Sequence, residues 1–244
     1  MSGWPQALKA VVLRELWRFW QQRGRFLSAL VRPLVWLFIF AAGFRAVLGV
    51  SIQPPYETYI LYDVYIVPGL CAMIALFNGM QSSLSMVYDR EMGSMRVLLV
   101  SPFPRAFLLV ARLIAATVVT LLQIAAFLAI AGLFGITFPL VGYLAVLPAA
   151  ALGGLMLGAF GLALSSLVKQ LENFAGVVNF VIFPTFFASS ALYPLWRVRE
   201  GSLELYYIAR ANPFTHVTEL IRFALYGQLA PTALAVVAGC TVLF

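Results

Sequence analysis

Charge is what this chain has least of. Of its 244 residues only 10% are Asp, Glu, Lys or Arg, 63% are hydrophobic, and the 56 residues from Leu113 to Val168 carry no charged side chain at all. A hydrocarbon core about 30 Å thick takes roughly 20 apolar residues per helical crossing, so that run is too long for one span and suits a pair. The scarcity excludes a soluble domain and makes the chain an integral membrane protein.

Other absences exclude chemistries. One histidine, His216, cannot build a multi-histidine metal site or an HExxH helix. The two cysteines, Cys71 and Cys240, fall in apolar stretches where a thiol is an ordinary packing residue. No GxxxxGKS or GxxxxGKT loop is present to cradle ATP, and no GxSxG elbow presents a serine nucleophile. The glycines that do cluster, in ALGGLMLGAFGLALSS, sit in the uncharged run rather than after a strand. No catalytic residue, metal or organic cofactor is therefore assigned to this chain.

What is present is a succession of six apolar segments, at 34–50, 65–86, 107–134, 141–168, 174–195 and 224–244. The long uncharged run divides at GITFPLVGY, where Gly135, Pro139 and Gly142 supply turn chemistry. The first segment is short after Pro33, and a helix beginning near Leu27 would restore its length. With an even number of spans both termini lie on one side. Placing them in the cytoplasm puts eleven Lys and Arg residues inside and five outside, as the positive-inside rule requires. The net charge of +7 then has a membrane explanation and needs no nucleic acid.

Residues 1–33 show no cleavable signal pattern before Pro33. Trp4, Leu8, Val11 or Val12, and Leu16 recur at helical spacing among Lys9, Arg14, Arg18 and Arg23, the pattern of a helix lying in the membrane interface. Such a helix is either an anchor that sets orientation or a mechanical part. The expected fold is thus all-α: an amphipathic N-terminal segment followed by a six-span domain over residues 34–244.

Polar residues inside the spans carry the remaining information. Asn78, Gln81, Ser82 and Ser85 lie along one face of the second span, Gln123 lies in the third, and Asn179 precedes Pro184 in the fifth. Unsatisfied amides in hydrocarbon are costly, so these groups face protein or a water-filled path. Interhelical hydrogen bonding accounts for any one of them. The polar half of the second span is harder to assign to packing alone, and Asn78, Gln81, Ser85 and Asn179 are candidates for bordering a translocation path. Gly154, Gly158, Gly161 and Ser165 form a small-residue stripe that admits a close helix neighbour, expected from the same chain.

Between the second and third spans lies YDREMGSMRVLLVSPFPR, residues 88–105. Its apolar members Tyr88, Met92, Met95 and Leu99 describe one helical face, with Asp89, Arg90, Glu91 and Arg96 off it. Ser101-Pro102 ends the helix, and Pro104 can begin the next. A helix connection needs only two to eight residues or so. This one is either a surface helix on headgroups or a docking element.

The run REMGSMRVLLVSP resembles the corresponding loop of the type-2 permease family of ABC exporters, through Arg90, Glu91, Gly93, Ser94, Arg96, Leu98, Leu99, Ser101 and Pro102. A second match lies in ANPFTHVTELIR, through Asn212, Pro213, Phe214, Thr215, His216 and Arg222. The resemblance implies a permease that pairs with a second copy or a paralogue and with two separate ATPase subunits in a cell membrane, the bacterial inner membrane. It implies that Arg90, Glu91, Gly93, Met95, Arg96 and Leu99 belong to a coupling helix on the ATPase, with the N-terminal helix lying beside it. Asn212, Pro213, Thr215, His216 and Arg222 would belong to short helices that fold back into the outer leaflet and gate the exit. His216 is read there as a structural hydrogen-bonding residue rather than a titrating switch. Cargo would be an amphiphile such as a drug, a polysaccharide or a lipid-linked glycan. The alternative is an ATP-independent channel or carrier in which the 88–105 segment is only a surface feature.

Overall fold

The computed structural model describes residues 3–21, 23–44, 49–50, 54–56, 60–93, 103–168 and 170–244. Ten helices occupy nearly all of them: α1 (Gly3–Gln21), α2 (Arg23–Phe44), α3 (Tyr62–Glu91), α4 (Arg105–Leu133), α5 (Leu140–Leu167), α6 (Leu171–Phe187), α7 (Leu195–Gly201), α8 (Leu203–Ala211), α9 (Pro213–Leu225) and α10 (Pro231–Leu243). A two-residue antiparallel pairing of Gly49–Val50 with Ile60–Leu61 precedes α3 and is the one non-helical element among the described residues.

Three helices, α3, α4 and α5, are long and apolar enough to cross a membrane. At 1.5 Å per residue they measure roughly 42–45 Å. The ends of α4 and α5 follow from the turn residues. Gly135 takes a φ of 85°, its N–H donates to Gly132 O, and Ile136 N–H donates to Ala131 O, which closes α4. Pro139 then stands just before α5, with no amide hydrogen to strand.

The other expected spans are reshaped. α2 begins earlier than residue 34, at Arg23, and its apolar part runs from Leu30 to Phe40. The segment expected at 174–195 is helical from Leu171 to Phe187 and then turns through 188–194. The segment expected at 224–244 is broken, because Ala224 and Leu225 end α9, Gly227 takes a φ of 68°, and a separate α10 starts at Pro231. Thirteen residues reach only about 20 Å, so α10 is short for a crossing.

α3 is the hub of the bundle. In its most apolar window 83% of residues are buried, against 39% for α4 and 44% for α5, so α3 is surrounded by protein while the other two keep an outward face. It packs on α2, α4, α5, α6 and α9. That explains why it is apolar on every side between Tyr65 and Leu76. The small-residue stripe of α5 does meet helices of the same chain. Gly154 and Gly158 face Thr117 and Leu113 of α4, and Gly161 faces Gly79 and Ser83 of α3. A Cβ at Gly79 would stand 2.9 Å from the Leu157 carbonyl, which is why the two backbones can touch only through glycine.

Candidate functional site

Part of the polar face of α3 is matched by α4. The Asn78 amide donates to Thr120 Oγ1 at 3.2 Å and to Gln123 Oε1. One helical stretch further, Arg112 donates to Ser85 Oγ at 3.2 Å and forms an ion pair with Asp89 at 2.6 Å. The two helices run antiparallel, so rising numbers on α3 meet falling numbers on α4. Gln123 is buried and would be costly there without its partner. Each pair satisfies groups that hydrocarbon could not.

The opposite side of the same face is open. Two adjoining hollows of about 70 and 110 Å³ share Asn78, Gln81 and Gln123. The first extends toward Ser82, Ser85, Arg112 and Glu15 of α1, the second toward Arg32 of α2 and Phe77. Asn78, Gln81 and Ser85 are thus brought to one groove between α3, α4 and the first two helices. Asn179 is not: it is exposed on α6 beside Phe180. Arg32 and Arg112 join the groove without having been singled out, since in sequence they were only charges to be counted.

At one end of α3 the charged pair of the 88–105 segment bonds to the chain itself. Arg90 donates to the Ser165 carbonyl of the last turn of α5 at 2.7 Å. Glu91 Oε2 accepts from Leu171 N–H, the first residue of α6, at 3.1 Å. A cation at a helix C-terminus and an anion at a helix N-terminus both suit the macrodipole. The pair therefore staples the ends of three helices together. Tyr88 and Met92 do not open a separate helix. They finish α3, whose last turn closes through Met92 N–H to Tyr88 O at 2.9 Å, and Gly93 turns away with a φ of 72°. Met95, Arg96 and Leu99 lie outside the described residues, as do Ser94, Leu98, Ser101 and Pro102.

At the other end of α3 a denser network holds α9. Asn212 caps it, its Oδ1 accepting from Phe214 N–H at 3.0 Å, while Pro213 fills the first helical position. The same side chain donates to the carbonyls of Thr185 and Ala188 at 2.7 Å each, so it also closes the end of α6. Thr215 donates to Ala209 O at 2.6 Å, and His216 Nε2 meets Arg210 O at 3.1 Å, which ties α9 to α8. Arg222 is only 3% exposed; it donates to Ser190 O at 2.8 Å, pairs with Glu219 and lies 4.2 Å over the Tyr65 ring. The hydroxyls of Tyr62 and Tyr65 donate to Leu192 O and Ser190 O, at 2.9 and 3.0 Å. The tyrosines gave no signal in sequence beyond their place at the start of a span.

Residues 6–226 match the family model described as ABC-2 type transporter. Relatives include the ycf38 protein of Porphyra purpurea, which carries a transport-permease name and is 25% identical over 227 residues, 89% of this chain and 73% of its own length. The ycf38 protein of Cyanophora paradoxa is 29% identical over 204 residues, 81% of this chain and 66% of its own. YbhR of Escherichia coli strain K12, named as a multidrug ABC transporter permease, is 32% identical over 170 residues, 68% of this chain and 45% of its own length.

Proposed function

The chain belongs to the ABC-2 type transporter family, and from that premise we propose that it is the membrane-spanning subunit of an ATP-driven exporter, coupled to a separate ATPase. Its own sequence has no phosphate-cradling loop, so the free energy comes from nucleotide bound elsewhere. The observation that carries the reading is the staple of Arg90 and Glu91 to Ser165 and Leu171. It stands directly before the 94–102 segment, so a partner that pushes this segment moves the inner ends of α3, α5 and α6 as one body.

In this reading both termini are cytoplasmic, and α2, α6 and α10 complete six spans with α3, α4 and α5. A second permease copy or a paralogue completes the path. The groove beside Asn78, Gln81 and Ser85 borders it, and α7, α8 and α9 form the outer gate, held by Asn212 and Arg222. α1 lies at the cytoplasmic interface, where Trp4 packs against Phe103 and Phe107 at ring separations of 6.4 and 4.9 Å, next to the same segment. Its membrane is a cell membrane, the inner membrane if the source is a bacterium.

The test is co-expression with an ABC ATPase encoded beside this chain, followed by co-purification. Deleting 94–101, or replacing Arg96 with Glu, is expected to abolish the complex while the permease itself still folds. A complex that survives both changes with unaltered ATPase activity would overturn the docking role of this segment, and failure of the unaltered chain to form any complex would favour the ATP-independent channel or carrier.

A further inference from the structure

Arg32 has a setting that neither packing nor orientation explains. Its guanidinium lies 3.9 Å over the Phe77 ring, and no carboxylate among the described residues pairs with it. Phe77 is fifteen residues from the Tyr62 end of α3, or about 22 Å along the axis. With Tyr62 at the outer boundary, Arg32 lies inside a hydrocarbon core about 30 Å thick, several ångströms from its cytoplasmic edge. A charged side chain at such depth faces water or an anion, since it is costly against lipid. The cation–π contact offsets only part of that cost.

The space beside it is shaped for an anion. Met73, Ile74, Phe77, Asn78 and Gln81 recur at helical spacing and turn one wall of the 110 Å³ hollow toward Arg32. Such a volume holds several waters or one phosphate-sized group. Gln81 has no hydrogen-bond partner among the described residues and can donate there, whereas Asn78 is held by Thr120 and Gln123. Further along the groove the charges are already matched, Arg112 by Asp89 and Glu15 by Arg14. Among the described residues of the groove, Arg32 is therefore a positive charge without a carboxylate partner, and it sits next to apolar side chains.

We propose that Arg32 and Gln81 receive the anionic headgroup of an amphiphile from the cytoplasmic leaflet, its tail remaining in lipid. The depth argument rests on the orientation proposed above; the binding needs neither an ATPase nor transport, so it can fail or stand independently.

The experiment uses the purified full chain in lipid nanodiscs and measures, by electron paramagnetic resonance, the immobilised fraction of spin-labelled phosphatidylglycerol against spin-labelled phosphatidylcholine. A hydrogen bond to a charged group, roughly 1.5–3 kcal/mol, corresponds to a preference of about tenfold or more. Arg32→Gln is expected to bring that preference close to one, and Arg32→Lys to keep most of it. Arg105→Gln, which removes an exposed cation at the start of α4, is expected to leave it unchanged. Gln81→Trp keeps the cation but fills the hollow, and is expected to release the lipid should Arg32→Gln fail to fold. Equal preference in wild type and Arg32→Gln, an equal loss in Arg105→Gln, undiminished binding in Gln81→Trp, or full displacement by inorganic phosphate would each overturn the proposal.

Discussion

The two ends of α3 are held in different ways. At the Tyr62 end, Tyr62, Tyr65, Asn212 and Arg222 converge on the carbonyls of the 185–192 turn, and Arg222 and both tyrosines are buried. At the Glu91 end two charged groups, one exposed and one half-buried, make a single hydrogen bond each to the ends of α5 and α6. Buried networks lose the full desolvation penalty of every orphaned group when broken, while exposed ion contacts exchange with water at little cost. The first end is built to stay assembled. In the proposed function the second follows the 94–102 segment beside it.

The largest effect is expected from Arg222→Ala. It leaves Glu219 without its partner, removes one of the two donors to the Ser190 carbonyl and empties the space over Tyr65, which should destabilise the fold by about 3–5 kcal/mol. Thermal unfolding of the detergent-purified protein would show it as a loss of most folded material. Asn212→Ala removes one cap and two carbonyl contacts, and about 2–3 kcal/mol is expected in the same assay. Arg90→Gln and Glu91→Gln should each change stability by less than about 1 kcal/mol; for them the difference is expected in coupled ATPase activity of the assembled complex. Smallest of all is Glu200→Gln in α7, where the exposed pair with Arg197 contributes within about 0.5 kcal/mol and no change in midpoint is expected. A destabilisation ranking with Arg90 above Arg222 would reverse the comparison.

Much of this architecture was legible from residue chemistry. α4 and α5 follow from an uncharged run divided by Gly135 and Pro139. Other features depended on distant partners. α3 continues to Glu91 because its polar residues pair with Thr120, Gln123 and Arg112, and hydropathy along one segment cannot register a partner on another. The break between α9 and α10 is hidden because Leu225, Tyr226, Leu229 and Ala230 keep the segment apolar around Gly227. The hold of Asn212 on Thr185 and Ala188 spans 27 and 24 residues and exists only in the folded bundle. Arg32 was legible only as a charge on the cytoplasmic side. Its meaning changes once Phe77 and Gln81 are found beside it.

The claim that one end moves while the other stays is tested most directly by pulsed electron paramagnetic resonance on the permease–ATPase complex. Spin labels go at exposed Gln170, beside the Glu91 contact, and at exposed Glu204 of α8 and exposed Leu229 between α9 and α10. ATP is expected to shift the Gln170–Glu204 distance distribution and leave Glu204–Leu229 in place, with Glu91→Gln reducing the first shift. An unchanged Gln170–Glu204 distance together with a nucleotide-dependent change between Glu204 and Leu229 would contradict the account.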